Sequence, residues 1–338
     1  MVTPRANQFA GCLIGQCLGD AAGFIVEGYP PQICRQYVDE ILRPGKVEGQ
    51  SRGGFSFGQY SDDSQLAREL LQSFAACGKF DPSDYAGRIA AIFREKRIVG
   101  AGYATAAAAQ RLLQGLPWDK AGTFSPAAGN GSAMRAGPIG LLFYDDPAQM
   151  IRAAHDQGRI THQDRRCSAG AIAIAGAVAL ALQQETIEPI SFTAQLSAWV
   201  RPFDHILADA LEQMPEWVLL PPHEAVSLIS RIGLVPGYSG GWVGISPFVT
   251  SSVLWSLYAF LRWPEDYWEA ICAAIAVGGD VDTTAAMTGA ISGAIVGLEG
   301  IPFPLARHLN DRGTWKYGEL VLLAQRCYEI KMGRKPED

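Results

Sequence analysis

Charged residues are scarce in this sequence, and long hydrophobic runs are missing. Asp, Glu, Lys and Arg make up only 18% of the 338 residues and the net charge is −6, which indicates neither a nucleic-acid nor an acidic-membrane partner. The longest apolar run, Ala171 to Leu182, is too short and too rich in Ala and Gly to span a bilayer. The N-terminus lacks the basic-then-apolar pattern of a secretory signal. We therefore expect a cytoplasmic protein. We also expect it to be a monomer.

Paired cysteine motifs are also missing. The seven cysteines are scattered and odd in number, and no two of them form a Cys-x-x-Cys motif. Cys12, Cys17, Cys77 and Cys272 lie in apolar, helical contexts, where a buried free thiol is the favoured interpretation. This cysteine usage fits the reducing cytosol.

Strand patterns are absent as well. No stretch of five or more residues alternates between apolar and polar, whereas apolar residues repeat at helical spacing along the chain. Prolines stand mostly at the starts of these segments, as at the first position of helices. Hydrophobic residues are 48% of the total, enough for a large core. The sequence predicts an all-α fold in a single domain over residues 1–338, with Arg43 to Tyr60 as a glycine-rich loop.

The segment Gly278-Gly279-Asp280-Val281-Asp282-Thr283 is the most distinctive stretch of the chain. Two glycines followed by Asp and then by a small-residue periodicity predict a tight turn that enters a helix. Asp280, Asp282 and Thr283 crowd hard oxygen donors at the start of that helix, and such donors suit Mg²⁺ or Mn²⁺ better than Zn²⁺. An ordinary acidic helix cap has the same residues, so this segment alone leaves both interpretations open.

The helix that follows, about 281–298, has small residues along one side. Small residues at this spacing let helices approach closely, which predicts a core helix at the centre of the bundle. Its N-terminus, with Asp280 and Asp282, should therefore open into the middle of the protein.

Ser61-Asp62-Asp63 is a second acidic helix start. It too is a good cap sequence, and one such start needs no further explanation. Two such starts, which together carry four Asp, one Ser and two Thr, are harder to dismiss. Helix N-termini repel cations, so a metal site there needs its carboxylates to overcome that repulsion, whereas the same termini attract phosphate. The pair favours a ligand that combines metal ions with a phosphate group.

Three further features each have a functional and a structural interpretation. The loop from Gly129 to Arg135 offers free backbone N–H groups to an anion, or is simply a turn before a helix. His162, after Thr161, is a ligand-binding residue or a packed histidine. Glu27 lies in an apolar context. Burial there would raise its pKa, as a general acid or base requires; the alternative is an ordinary surface residue.

An aromatic loop from Gly237 to Trp242, followed by Phe248, precedes an apolar helix. An aromatic side chain there could stack on a base or a ribose. The alternative is a bundle loop with core aromatics.

Together these residues resemble the ADP-ribosylglycohydrolase family, which includes the dinitrogenase reductase-activating glycohydrolases. The matching motifs stand in the family's order and span residues 11–302. They are Gly19-Asp20-Ala21-Ala22-Gly23 with Glu27, Ser61-Asp62-Asp63, Gly129 to Arg135, Thr161-His162, Gly278 to Thr283, and a tail from Gly297 to Pro302. Each motif is weak alone, whereas the ordered set is specific.

The resemblance implies a compact orthogonal helical bundle with two Mg²⁺ or Mn²⁺ ions. The implied metal ligands are Ser61, Asp62, Asp63, Asp280, Asp282 and Thr283. Glu27 or Asp62 is implied as the catalytic acid or base. The implied substrate-binding residues are Gly129, Asn130, Gly131, Ser132, Met134, His162 and Phe248. Phe248 stands where the family usually has Tyr, so contacts to ribose or adenine should differ.

The function that the resemblance implies is metal-dependent removal of ADP-ribose from a modified protein side chain. ADP-ribosyl-arginine is the substrate we expect. O-linked substrates, namely ADP-ribosyl-serine or O-acetyl-ADP-ribose, and a non-catalytic ADP-ribose-binding protein are the alternatives. The partner would be an ADP-ribosylated protein or a small molecule that contains ADP-ribose. Asp280 to Thr284 also match the Asp-x-Asp-x-Thr motif of haloacid-dehalogenase-type phosphatases, but the helical pattern and the short remaining sequence disfavour that fold.

Overall fold

Helices form nearly all the regular structure in the residues that the computed structural model describes, 3–234 and 241–333. In chain order they are α1 (Ala6–Phe24), α2 (Pro31–Tyr37), α3 (Asp62–Cys77), α4 (Pro82–Arg94), α5 (Tyr103–Leu113), α6 (Trp118–Ala121), α7 (Gly137–Leu142), α8 (Pro147–Arg159), α9 (Arg165–Ala181), α10 (Pro189–Val200), α11 (His205–Val218), α12 (Pro222–Ile229), α13 (Val249–Arg262), α14 (Tyr267–Ala276), α15 (Val281–Val296), α16 (Phe303–Ala306) and α17 (Tyr317–Lys331). A π-helical turn, Val38–Leu42, extends α2, and short 3-10 turns cover Asn130–Ser132 and Leu298–Gly300. The predicted all-α class is confirmed.

A small hairpin interrupts the region predicted as a loop. Strands β1 (Ser51–Arg52) and β2 (Phe55–Ser56) pair antiparallel, with Arg52 opposite Phe55. Gly53 and Gly54 connect them with φ angles of +57° and +85°. Positive φ at both positions is the mark of a tight type I′ turn, for which Gly-Gly is a sequence signal. The strands are too short to show any alternation, which is why the periodicity argument missed them.

Helices α1 and α15 lie in contact, backbone against backbone, at the centre of the molecule. Glycines recur every four residues along α1. A Cβ added at Gly11 would stand 2.3 Å from the carbonyl oxygen of Gly293, and one added at Gly15 would stand 2.4 Å from that of Gly289. A Cβ at Gly19 would stand 2.1 Å from the carbonyl oxygen of Ala285. The partner numbers fall as the α1 numbers rise, so the two helices are antiparallel. The small-residue side predicted for α15 therefore packs on a matching stripe of α1.

This antiparallel contact brings the end of α1 to the start of α15. At Gly23 an added Cβ would stand 2.5 Å from the Cα of Asp282. The residues that follow α1, including Glu27, consequently lie beside the acidic start of α15, although more than 250 residues separate them in the chain. No helix among the described residues is long and apolar enough to cross a membrane.

Substituting Gly15 with Ala should destabilise the protein by about 1–3 kcal/mol, because the added methyl group overpacks the α1–α15 contact. Gly87 supplies a matched control: it is exposed in the middle of α4, and an added Cβ meets nothing within 4 Å. Gly87→Ala should be neutral or stabilising by about 0.4–1 kcal/mol, through the entropy of the unfolded chain. Urea unfolding of both variants measures the difference, and equal stabilities would refute the close contact.

Candidate active site

The start of α3 is held by an aspartate of α1. The Asp20 carboxylate accepts from the backbone N–H of Ser61 at 2.9 Å with one oxygen and from that of Ser64 at 3.0 Å with the other. These are two of the N–H groups that a helix start leaves without a partner. Asp20 is fully buried, so this cap fixes the ends of α1 and α3 against each other.

Ser61 and the two aspartates after it lie where the sequence predicts, at the cap and first turn of α3. The Ser61 hydroxyl donates to Asp63 Oδ2 at 2.8 Å. The backbone N–H of Asp62 donates to the carbonyl of Val99 at 2.7 Å, which ties this turn to the loop before α5. Asp63 Oδ1 is buried and has no hydrogen-bond partner, so it is free to accept from a ligand.

The two glycines before Asp280 are required by the backbone. Gly278 and Gly279 have φ angles of +75° and +91°, and a Cβ at Gly279 would stand 2.1 Å from the carbonyl oxygen of Ile245. The backbone N–H of Asp280 donates to that same carbonyl at 2.8 Å. The turn thereby delivers Asp280 and Asp282 to the start of α15, as the Gly-Gly-Asp pattern predicts.

Glu27 lies on the segment between α1 and α2, next to this turn. The backbone N–H of Gly28 donates to the carbonyl of Gly279 at 2.8 Å, which holds the segment against α15. The Glu27 side chain is 27% exposed and forms an ion pair with Arg52 of the hairpin at 3.1 Å. Burial, and then the charge of Asp280, raise the pKa of Glu27, while Arg52 lowers it.

These side chains form an acidic cluster, made of Asp20, Glu27, Asp62, Asp63, Asp280 and Asp282. One carboxylate oxygen each from Asp20, Asp63 and Asp282 lie within 4.8 Å of one another, and the same holds for Glu27, Asp280 and Asp282. Burial raises the pKa of Asp20 to about 7, and burial with neighbouring carboxylates raises that of Asp62 to about 8.

The donor set of the acidic cluster fits hard divalent cations. All its donors are oxygens, which Mg²⁺ and Mn²⁺ prefer, and its five aspartates are buried. Within the described residues no Arg or Lys forms an ion pair with any of those five. Buried carboxylates at this density need a counter-charge, and a cation would provide it while engaging the free Oδ1 of Asp63.

All members of the acidic cluster except Asp20 line a cavity of about 360 Å³. The same cavity is lined by Gly129, Gly131, Met134 and His162, and by Trp242 and Pro247. Larger cavities of 600 and 580 Å³ occur elsewhere among the described residues, but each is lined by a single carboxylate. The smaller cavity is therefore the candidate active site.

Asn130 holds the acidic cluster rather than only lining the cavity. Its side-chain Nδ2 donates to Asp280 Oδ2 at 2.5 Å and to the Ser252 hydroxyl at 3.0 Å. Its backbone N–H donates to the carbonyl of Pro247 at 3.0 Å. The loop predicted as a phosphate cradle is thus joined to the start of α15 and to that of α13.

His162 is a buried, neutral imidazole beside that loop. Its Nδ1 lies 2.8 Å from the Thr161 hydroxyl, which itself accepts from Arg135 at 2.8 Å. Burial and then Arg135 lower the pKa of His162 to about 3. Arg135 donates to the Thr161 hydroxyl, and among the described residues Nδ1 is the one recorded acceptor for the hydrogen of that hydroxyl, so we infer that this hydrogen goes to Nδ1. The ring proton is then on Nε2, near Gly129, where it can be donated to a ligand.

Two of the predicted substrate-binding residues do not face the cavity. Ser132 is fully buried, and its hydroxyl donates to the carbonyl of Cys167 at 2.8 Å. The Phe248 ring faces Gly233 and lies under the Arg166 guanidinium, 5.5 Å from its carbon. Trp242 lines the cavity instead, whereas residues 237–240 of the predicted aromatic loop lie outside the described residues.

Sequence reasoning missed three residues at the site. Asp20 belongs to the quoted Gly-Asp-Ala-x-Gly motif, so a signal for it was present, but no role was assigned to it. Tyr103 lines the cavity and is 83% exposed, and nothing in its local sequence marks it. Arg52 comes from a segment predicted as a loop, and only the Gly-Gly turn signal could have drawn attention to it.

Comparisons with known proteins agree with this fold and site. A family model described as ADP-ribosylglycohydrolase matches residues 1–337. ADP-ribosylhydrolase ARH3 of Gallus gallus is 30% identical over 338 aligned residues, which cover 88% of each chain. ADP-ribosylarginine hydrolase Tri1 of Pseudomonas putida (strain GB-1) is 25% identical, over 88% of this chain and 72% of its own. A solved chain titled "ADP-ribosylglycohydrolase-related protein complex" is 26% identical and superposes with a TM-score of 0.72, over 98% of this chain and 100% of that one.

Divalent metal should stabilise the protein more as the pH rises. The raised pKa values of Asp20 and Asp62, about 7 and 8 against an ordinary 3.8, mean that the metal-free folded state binds more protons than the unfolded chain in this range. Its stability therefore falls as the pH rises from about 4 to 8. Bound cations replace those protons, so the melting temperatures with Mg²⁺ and with EDTA should diverge between about pH 5 and 8. If Mg²⁺ raised the melting temperature by the same amount at about pH 5 and at about pH 8, a carboxylate site would be contradicted.

Thr161→Val should weaken the binding of ADP-ribose by about tenfold, because the imidazole of His162 loses the hydroxyl that selects its tautomer. Thr193 is the matched control, since its buried hydroxyl bonds within α10, to the carbonyl of Pro189 at 2.9 Å. Thr193→Val should lose comparable stability and keep its affinity. Calorimetric titration of ADP-ribose into both variants with saturating Mg²⁺ decides, and equal affinities would refute the tautomer argument.

Proposed function

We propose that this chain, which belongs to the ADP-ribosylglycohydrolase family, is a metal-dependent hydrolase. It removes ADP-ribose from modified protein side chains, and ADP-ribosyl-arginine is its preferred substrate. The observation that carries the proposal is the acidic cluster, which gathers carboxylates from three elements at one cavity. The family's activity is glycohydrolysis, and its members are metal-dependent in general.

We assign two divalent cations, Mg²⁺ or Mn²⁺, to the acidic cluster. Asp20 and Asp63 with Asp282 make one candidate position, and Asp280 with Asp282 make another, beside the Glu27 carboxylate. Asp282 is common to both sets, as a bridging carboxylate would be. Bound ions at these positions would supply the positive charge that holds the hydroxyls of the distal ribose and orients its anomeric carbon.

The glycine loop that lines the cavity suits the diphosphate. Backbone N–H groups near Gly129 and Gly131 need no side-chain ordering to meet an anion, and the Nε2–H of His162 adds a donor without adding a charge. Bulk at Gly131 is excluded, since a Cβ there would stand 2.7 Å from His162 Cε1. Met134 completes this wall.

Proton transfer is assigned to Glu27, with Asp62 as the alternative. Cleavage of a glycosidic bond passes through an oxocarbenium-like state that needs an acid for the leaving group and a base for the water. Glu27 is partly exposed at the rim of the acidic cluster, so it can exchange protons with solvent. Its pKa is raised, as a general acid requires. Asp62 lies deeper, at 5% exposure, and fits a ligand role better.

Electrostatics is the reason to prefer arginine as the amino acid from which ADP-ribose is removed. An arginine side chain linked to ADP-ribose keeps its positive charge, and the acidic cluster attracts a cation, whereas a serine linkage or an O-acetyl group is uncharged. The relative Tri1 is named as an ADP-ribosylarginine hydrolase. A cytoplasmic location and a monomeric state remain predictions.

The decisive experiment offers ADP-ribosyl-arginine, ADP-ribosyl-serine and O-acetyl-ADP-ribose to the protein with Mg²⁺ or with EDTA, and measures free ADP-ribose by mass spectrometry. We expect release from the arginine conjugate at least about tenfold faster than from the others, since a charge contact of about 1.4 kcal/mol suffices for this ratio. We expect no release in EDTA. Faster release from serine or O-acetyl substrates would refute the assigned linkage.

Asp282→Asn is the control for the metal-site assignment. The variant should fold, bind Mg²⁺ far more weakly and release no ADP-ribose, because it loses the carboxylate common to both cation positions. Wild-type protein that binds ADP-ribose without hydrolysing any conjugate would instead identify a binding protein.

A further inference from the structure

The hairpin presses one arginine and one phenylalanine against the end of α1. Arg52 and Phe55 are directly opposed across the hairpin, so their side chains share a face. On that face the Arg52 guanidinium carbon lies 5.3 Å from the ring centroid of Phe24, and the Phe55 ring meets the Phe24 ring edge-on at 6.2 Å. Arg52 Nη1 donates to the backbone carbonyl of Phe24 at 2.7 Å. The guanidinium is therefore fixed on the last residue of α1.

The same Nη1 lies 3.1 Å from Glu27 Oε2. In the part of the chain that the structure describes, this is the one ion pair between a basic side chain and the acidic cluster. Arg52 approaches Glu27 from the hairpin, whereas Asp280 and Asp282 offer carboxylate oxygens within 4.8 Å of an oxygen of Glu27. Glu27 thus stands between a cation and two like charges.

Two forces act to displace the Glu27 carboxylate. In the metal-free site, Asp280 and Asp282 repel it, and its partly exposed position leaves a path into water. In the loaded site, a hard cation would attract it as an additional ligand, because its oxygen already lies within the donor set. Either displacement would remove the group from the position in which it can exchange a proton with substrate or water.

We propose that Arg52 is a positioning residue for Glu27: clamped on Phe24, its guanidinium keeps the Glu27 carboxylate at the rim of the acidic cluster, as a proton-transfer group and not as a metal ligand. The hairpin is then a functional element, because its turn fixes the register that places Arg52 and Phe55 on Phe24. This inference rests on the role proposed for Glu27.

A double-mutant cycle tests the inference with the best substrate from the panel. Arg52→Ala should lower kcat by about tenfold or more with KM nearly unchanged, since a small misplacement of a reacting group is costly. Glu27→Gln should lower kcat by about 10²–10⁴-fold, as loss of a general acid or base does. In the Glu27→Gln background, Arg52→Ala should change kcat by less than about twofold, because the group it positions is gone. Arg52→Lys, which keeps the charge, should recover part of the loss.

Arg43→Ala is the matched control, because Arg43 is another partly exposed arginine whose ion pairs, to Asp39 and Glu269, involve none of the acidic cluster. It should leave kcat unchanged. Calorimetric titration of Mn²⁺ supplies a readout that does not depend on activity: Arg52→Ala should bind Mn²⁺ more tightly than wild type, because a nearby positive charge is lost and Glu27 is released to the ion. Arg43→Ala should not.

The outcomes separate the two proposals. Equal kcat for Arg52→Ala and wild type, equal losses in the wild-type and Glu27→Gln backgrounds, or unchanged Mn²⁺ affinity in Arg52→Ala would each overturn the role of Arg52 while leaving the hydrolase intact. Full activity of Glu27→Gln would overturn both the role of Glu27 and that of Arg52. Wild-type protein without hydrolase activity would overturn the proposed function, and the positioning of Glu27 for proton transfer with it.

Discussion

Contact between the backbones of α1 and α15 is the constraint on which the site depends. Glycine every four residues along α1 lets its backbone meet that of α15 with no side chain between them. The helices run antiparallel, so one end of the pair joins the last turn of α1 to the first turn of α15. Asp20, Glu27, Asp280 and Asp282 gather at that end. A larger residue in the stripe would separate the helices and the carboxylates together.

Electrostatics at the site opposes the packing that creates it. Helix starts favour anions, and both α3 and α15 begin with aspartates, yet burial and mutual repulsion raise the pKa values of these groups. The metal-free cluster is therefore a strained arrangement at neutral pH, and bound cations would relieve it. Packing energy from the central helix pair stabilises a site that its own charges destabilise, which is a common property of functional sites.

The two walls of the cavity share a network of fixed contacts. Asn130 of the glycine loop donates to Asp280, and the backbone N–H of Asp62 donates to the carbonyl of Val99 in the loop before α5. His162 is oriented by Thr161 and Arg135 from behind. On the outer side, Arg52 of the hairpin holds Glu27. The residues that would meet a ligand are thus supported by fixed partners, and such support limits the reorganisation that binding requires.

The sequence by itself determined the helical class, the acidic starts of α3 and α15, the small-residue side of α15 and the order of the family motifs, because each is written in residues a few positions apart. Tertiary structure decided which stripe packs on α15, that Asp20 joins the acidic cluster, that Arg52 reaches Glu27, and that the side chains of Ser132 and Phe248 point away from the cavity. Asn130 illustrates the difference: its loop is readable from local glycines, but its bond to Asp280 joins residues 150 positions apart. Local spacing specifies the face of a helix that is buried, whereas the partner on that face depends on the close approach of distant segments, which no local period encodes.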